Sequence, residues 1–573
     1  MNIKKTLCLV LVLCLSLAAL AACGRKPEET AAPTTTAAEK TAAPEETTAA
    51  AEKTTAAPEE TTAAPEETTA APEETTAAPE ETTAAPEETT AAPVEEPRHL
   101  NAASFMVGTT LDAAVRYQGW TLTRTGIGET LVKLDNNVEL EACVADSWEW
   151  VDEYSLKLHV REGITFHSGK AVDAAAVKLC FEHAAETNER FPNYIDLKEF
   201  IADGQDLTIV SNSKNPQMLW NLTEPLFCVM DVTVEDIANK PAGTGPYMVT
   251  SFVEDRIELE ANRNYWNGEV GLDTITFTRV SDAEARVMAL QSGELDMTIT
   301  IDHTNIKLFE NEDYNVSVVS GVRTNVVKMN HARPFLKYKE LRQAISYAID
   351  RETYGANITG GAPSVCLFPA SVPFDIDSIE GYSYDVDRAV QILDDAGFVD
   401  TDGDGIREID GENIHLEYYQ SAAHGSAEAG LIAQAIQADL LKIGVDVEIM
   451  SSENMSDIKN AGLYDFCSDN SNTVPTGDGQ YFLTNMYLST SGSNKSGYNN
   501  PEFDALIERF NDAYSAEERY AIAHEAAQLL NDDAADLFVT TVPMSTVSRA
   551  YVKNAVQPTV DYYMITKDIT IVR

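Results

Sequence analysis

The stretch Tyr154-Ser-Leu-Lys-Leu-His-Val-Arg-Glu-Gly-Ile-Thr-Phe-His-Ser-Gly-Lys170, running on into Ala171-Val-Asp-Ala-Ala-Ala-Val-Lys178, sets the architecture of this chain. Its first seven residues alternate apolar and polar as a half-buried strand does, and the run stops near Arg161-Glu-Gly163. From 172 to 185 the apolar residues recur three and four apart, which is the period of a helix, with Asp173 near its start. The same grammar extends outward. Ile257-Glu-Leu-Glu260 and Ile275-Thr-Phe-Thr278 read as strands, and 282–292 reads as a helix stopped by Gly293. Residues 341–349, 387–396, 428–443 and 501–510 are amphipathic helices, and Val445-Asp-Val-Glu-Ile449 is a strand entered through Gly444. Helix, glycine and strand in alternation imply α/β lobes whose helices cover the sheets.

At 573 residues the chain exceeds what one hydrophobic core needs, so more than one lobe is expected. Its beginning is of a different kind. Lys4 and Lys5 precede an apolar run from 7 to 20, and Ala21 and Ala22 lead to Cys23. This is a signal-peptide layout, too short and wrongly flanked to stay as a span. Leu20-Ala-Ala-Cys-Gly24 resembles the lipobox of bacterial lipoproteins, which implies a diacylglyceryl group on the Cys23 thiol and cleavage just before it; an ordinary secretory signal is the alternative. Each buried CH₂ of such a lipid contributes roughly 0.8 kcal/mol to membrane attachment. The expectation is a protein anchored at residue 23, on the extracellular face of the cell membrane, that does not span it.

Residues 24–97 form a tether. AAPEETT recurs with a period of seven from Ala42, intact six times. No large apolar residue marks a heptad position and proline interrupts almost every repeat, so neither a coiled coil nor a packed core can form. At ~3 Å per residue the 74 residues reach on the order of 200 Å when extended, enough to cross a Gram-positive wall. A Thr-rich stalk of this kind also admits O-glycosylation.

The formal charge of −51 divides between tether (18 Glu against four basic residues) and the residues beyond it, so the folded part is itself strongly acidic. Such a surface repels phosphate backbones, and nucleic acid is not an expected partner. Cys143, Cys180, Cys228, Cys366 and Cys467 are odd in number and never in a C-x-x-C pair; buried free thiols are expected, with a single disulfide as the alternative. Nine scattered histidines offer no H-x-H or H-x-x-x-H pair. Asp400-Thr-Asp402-Gly-Asp404-Gly405 matches the start of a calcium loop, but Gly411 stands at its twelfth position and Glu412 one place late; a tight loop competes with a structural Ca²⁺. No G-x-S-x-G or H-E-x-x-H occurs, and Ser211-Asn-Ser-Lys214 lacks companion motifs, so neither catalysis nor a cofactor is expected.

Several separated motifs then add up. Ala145-Asp-Ser-Trp-Glu-Trp150, Leu158 to Lys170, Gly243-Thr-Gly-Pro-Tyr247, Asn264-Tyr-Trp-Asn-Gly268, the stretch from Asp282 through Asp296, Leu341 to Asp350, and Tyr498-Asn-Asn-Pro-Glu-Phe-Asp504 together resemble the family 5 extracellular solute-binding proteins, the peptide and nickel binders of ABC importers. The resemblance covers nearly all of 100–573 in family order. It implies a two-lobed α/β periplasmic-binding-protein-like fold of type II, with a domain inserted in the first lobe. Lobe I is expected over 100–318, including the insert at about 144–236, lobe II over 319–540, and a return to lobe I over 541–573. It implies a monomer that captures an oligopeptide for a membrane permease; a nickel or metal-chelate binder is the alternative, and a surface sensor or adhesin the second.

The resemblance also proposes ligand contacts. Asp478, between two glycines in Ser468 to Leu483, matches the aspartate that pairs with a peptide's α-amino group, although Gly479 replaces the usual proline. Asn472 and Thr476 share that loop. Glu224 stands near where chelate binders carry an arginine, and Tyr117, Trp120, Arg190 and Tyr194 fall in segments that border the cleft of relatives. Trp148 and Trp150 are expected to pack rather than to bind.

Overall fold

The computed structural model describes residues 97–422 and 427–573. The signal peptide, Cys23 and the repeat tether lie outside the described residues. Fourteen strands matter here: β1 (His99–Ser104), β2 (Ala145–Asp152), β3 (Ser155–Val160), β4 (Leu197–Asp203), β5 (Asp206–Ser211), β6 (Tyr247–Val253), β7 (Arg256–Ala261), β8 (Thr274–Arg279), β9 (Met297–Ile299), β10 (Tyr314–Met329), β11 (His415–Ser421), β12 (Asp446–Ser452), β13 (Phe466–Asn472) and β14 (Asp536–Arg549). The helices are α1 (Gly119–Arg124), α2 (Ala174–Thr187), α3 (Ala283–Ser292), α4 (Lys339–Ala348), α5 (Val386–Asp395), α6 (Ala427–Leu441), α7 (Gln480–Tyr487), α8 (Pro501–Glu508) and α9 (Ala516–Asp532).

Ten strands make one mixed sheet in the order β12-β11-β13-β10-β14-β9-β1-β8-β7-β6, and β2-β3-β5-β4 make a separate antiparallel sheet in the insert. The two long central strands belong to both lobes. Val316 to Ser320 of β10 pair with Pro543 to Val547 of β14 on one side, and Thr324 to Lys328 pair with Asp536 to Thr541 on the other. The register breaks between the two runs, after Ser320, and again within the second, after Asn325. A bulge removes ladder bonds, and Pro543 has no N–H to give, so the ladder is interrupted at this crossing.

Local chemistry accounts for the helix ends. The Asp173 carboxylate accepts from the Ala176 N–H at 2.8 Å and Asp282 from Ala285 at 2.7 Å, while Gly293 closes α3 with φ +83°. Ser515 and Glu518 form a reciprocal capping box at the start of α9. The signature motifs hold the scaffold together. Thr244, Tyr265 and Trp266 all donate to the buried Glu129 carboxylate, at 2.9, 2.7 and 2.9 Å. His167 accepts at Nδ1 from the Gly243 N–H and sits with Nε2 2.9 Å from the Gly245 carbonyl, tying the insert to lobe I. Burial pushes its pKa down to about 4, so the ring is neutral.

Apolar cores lie on both sides of the crossing. One gathers Leu100, Ile127, Leu158, Phe181, Phe227 and Ile275, and another Met329, Ile345, Leu416, Ile436 and Leu537. Leu134, Val138 and Val560 of the first lobe reach over to pack with Val474 and Phe368 of the second. The insert touches lobe II as well: Lys214 bridges Glu153 (2.8 Å) and Asp512 (3.2 Å), and Trp150 packs edge-on against Tyr514. All five described cysteines are buried and free. Among the described residues no helix is long and apolar enough to cross a membrane.

Candidate functional site

Two neighbouring polar clusters sit where β10 crosses between lobes. The first grows from α1. A side chain at Gly119 would stand 2.0 Å from the Pro225 carbonyl, so glycine lets α1 lie directly on the Glu224–Pro225 turn. That contact delivers Trp120, whose indole N–H donates to Glu224 Oε1 at 3.0 Å. Arg190 reaches the same oxygen at 3.0 Å, and its guanidinium lies 3.9 Å above the Tyr117 ring and against the Tyr194 hydroxyl. Tyr194 stacks on Tyr481 of lobe II, ring centres 4.7 Å apart and nearly parallel. Five expected residues, Tyr117, Trp120, Arg190, Tyr194 and Glu224, therefore converge. Glu224 is wholly buried and its charge is met by Arg190.

One turn along α1, Arg124 packs 4.8 Å from the Trp120 ring and ion-pairs with Asp561. Arg323 of β10 faces the same carboxylate at 3.8 Å. Burial alone would raise the Asp561 pKa, but the two guanidiniums outweigh it and hold the group below the usual carboxylate range. The Tyr562 hydroxyl donates to the Pro475 carbonyl at 2.7 Å and lies 3.4 Å from Glu224, so it links this cluster to the second.

That second cluster surrounds Asp478. Gly477 and Gly479, both in the left-handed region (φ +88° and +77°), turn the chain so that the carboxylate points inward. There it is fully buried, accepting from Thr476 Oγ1 at 3.0 Å and from Arg519 Nε at 2.9 Å, with a second contact to the same guanidinium. Arg519, also at zero exposure, spends its remaining donors on Gln480 and on the Phe510 and Ala513 carbonyls. The expectation that Asp478 waits for a ligand ammonium meets a corrective fact here: its counter-ion is already Arg519, and an ammonium would have to displace a buried guanidinium. Thr476 serves the same pair. Asn472, at the end of β13, instead lies beside Arg323.

The solute-binding family model matches here. Residues 139–494, well over half of the chain, fit the model described as bacterial extracellular solute-binding proteins, family 5 middle. The chain belongs to this family. Among family 5 relatives, the nickel-binding protein NikA of Staphylococcus aureus is 27% identical over 456 residues, covering 78% of this chain and 90% of that protein. The oligopeptide-binding protein AppA of Bacillus subtilis is 27% identical over 435 residues, covering 71% and 78%. A solved nickel ABC transporter protein from Bacillus halodurans shares 30% identity at a TM-score of 0.72, over 83% of this chain and all of the other. The two-lobed α/β architecture with its insert is thus that of family 5, whose members are solute-binding components of importers.

Arg124, Arg323, Asp561, Tyr562 and Arg519 were not anticipated. Arg124 had a signal, since it follows Trp120 by four residues and so shares its helix face. Asp561 and Tyr562 reach Arg323 only through the return of the chain after β14, and Arg519 reaches Asp478 from α9. The acidic loop holds together differently from the expected calcium pattern: Asp400, Asp402 and Glu408, not Glu412, bring carboxylate oxygens within 4.8 Å of one another. Asp400 accepts from the Gly403 and Gly405 N–H groups, Asp404 from Ile406 and Asn413, and Glu408 from Thr401, as a tight loop requires. A shallow concavity on the insert sheet, lined by Trp148, Lys157, His159 and Asp206, stands apart from both clusters.

Proposed function

We propose that this chain is the lipid-anchored, extracellular capture component of an ABC importer, holding a small solute between its lobes and passing it unaltered to a membrane permease. The observation that carries the reading is the aromatic and guanidinium cluster around Trp120, Arg124, Arg323 and Tyr562, built from both lobes at the crossing of β10. Closure over such a site excludes water and strengthens each polar contact to a ligand. No turnover is part of this reading, and attachment is through lipid on Cys23.

For the solute we place an amino-acid chelate of nickel first and an oligopeptide second. Asp478, the group best suited to a peptide's ammonium, is occupied by Arg519. The cluster around Trp120 contains no histidine or cysteine among the described residues, so a metal would arrive carrying its own ligands. The likeness to the nickel proteins of S. aureus and B. halodurans supports this order. The likeness to AppA supports the peptide reading.

A thermal-shift series on the full chain with Ni(II)–L-histidine, NiCl₂ alone, and peptides of two to nine residues tests the order. Stabilisation by the chelate and not by bare Ni²⁺ is expected. Stabilisation by peptides alone would reverse the two readings, and a ligand recovered chemically altered would remove the non-enzymatic one. Metabolic labelling with palmitate, lost in Cys23→Ser, is the expected sign of the anchor.

A further inference from the structure

We infer that Arg323 and Asn472 form a seat for a carboxylate of the solute, with Asp561 receiving an N–H donor on the neighbouring carbon. This rests on solute binding between the lobes as proposed above and adds the chemistry of one end of that solute.

Arg323 and Asn472 are direct partners in the antiparallel ladder between β10 and β13, so their side chains leave the sheet on one face. Both carry donors without acceptors. The Arg323 side chain makes no hydrogen bond among the described residues; it lies 3.8 Å from Asp561, which already holds Arg124, and 6.0 Å from the Trp120 ring. It keeps 21% of its side-chain surface open. The Asn472 amide is oriented by the Val474 N–H, which donates to Oδ1 at 3.2 Å and leaves Nδ2 as the free donor. That nitrogen is buried and has no partner. Folded proteins seldom retain such a group without a use for it.

The charges point the same way. Two guanidiniums share the single carboxylate of Asp561, so one positive charge remains uncompensated beside Trp120 in a chain whose formal net charge is −51. A planar guanidinium fork with an amide N–H beside it matches the two oxygens of a carboxylate. Asp561 Oδ1 is also buried and without a donor. An acceptor there would repel a bare dianion but accept an amine or amide N–H one carbon from the carboxylate. An α-amino acid presents that pair, as a metal chelator or as the last residue of a peptide.

The test uses matched ligands. Affinities of the full chain are measured for Ni(II)–L-histidine against Ni(II)–L-histidinamide, and for a tripeptide against its C-terminal amide. Wild type should favour the carboxylate form about 10- to 100-fold, the worth of a charged hydrogen bond. Arg323→Gln should bring the two forms within about threefold, and Arg323→Lys and Asn472→Ala should fall between. If Arg323→Gln fails to fold, Asn472→Ala and the wild-type ratio carry the test. Binding of both forms with equal affinity, or an undiminished preference in the variants, overturns the seat and leaves solute capture standing. Discrimination within the peptide pair alone keeps the seat and overturns the chelate. Binding of none of the four probes overturns both.

Discussion

Two of the buried carboxylates that face a guanidinium, Asp478 and Asp561, are finished differently. At Asp478 one acid meets one base, both at zero exposure, and the spare donors of Arg519 end on Gln480 and two backbone carbonyls. At Asp561 one acid is shared by Arg124 and Arg323, one carboxylate oxygen has no donor, and Arg323 stays partly open. The closed pair joins the loop after β13 to α9 within lobe II. The open one joins β10 to α1 and to the returning chain. A satisfied ion pair holds a fold together; one with a donor and an acceptor to spare can still receive something.

The largest effect should come from breaking the closed pair. Arg519→Ala strands a buried carboxylate and should lower the unfolding free energy by about 3–5 kcal/mol, read by urea denaturation. Replacing both partners, Asp478→Leu with Arg519→Met, should recover most of that loss. A cost under ~1 kcal/mol for Arg519→Ala would mean that the pair is not sealed, and the contrast with Asp561 would fail.

Acid sharpens the contrast next, through groups that belong to neither pair. His167 and His331 are kept neutral by burial, each with a pKa near 4. The unfolded chain, with histidine near 6.5, binds protons more readily, so this contribution to stability is complete above about pH 6.5 and is lost as pH falls toward 4. For His167 the shift corresponds to about 3 kcal/mol. Stability curves at pH 7, 6, 5 and 4 should show that slope, and His167→Gln should reduce it. Asp561, held below the ordinary carboxylate range, has its stabilising contribution in place above its unfolded value and loses it only as pH falls further, through its folded pKa. A flat profile between pH 7 and 4 would contradict the neutral, buried rings.

The smallest effect belongs to the exposed bridge between insert and lobe II. Lys214, Glu153 and Asp512 are open to solvent, where ion pairs are screened and contribute little. Lys214→Ala should leave the thermal midpoint unchanged within error; a clear drop would make that bridge structural.

Much of this fold was legible because its signals are local. The strand over 155–160 and the helix over 174–187 follow from alternation, period and the Asp173 cap. The longest helix among the described residues, 516–532, was not anticipated, although Ser515 and Glu518 mark its start as a capping box. Convergence of Tyr117, Trp120, Arg190, Tyr194 and Glu224 was anticipated only as separate segments bordering a cleft. Asp478 shows the limit. A carboxylate flanked by glycines looks available in sequence, and nothing within forty residues says that Arg519, buried in the first turn of α9, will claim it. Arg323 and Asp561 are 238 positions apart and meet only because β10 and β14 run antiparallel through both lobes.

Hydrogen exchange of the full chain with and without Ni(II)–L-histidine, and likewise with a tripeptide, tests the central claim most directly. A bound ligand is expected to slow exchange together in 117–124, in 320–326 and in 472–476, the segments that carry the proposed site. Protection confined to a single lobe, or to the outer sheet of the insert around Trp148 and His159, would contradict it.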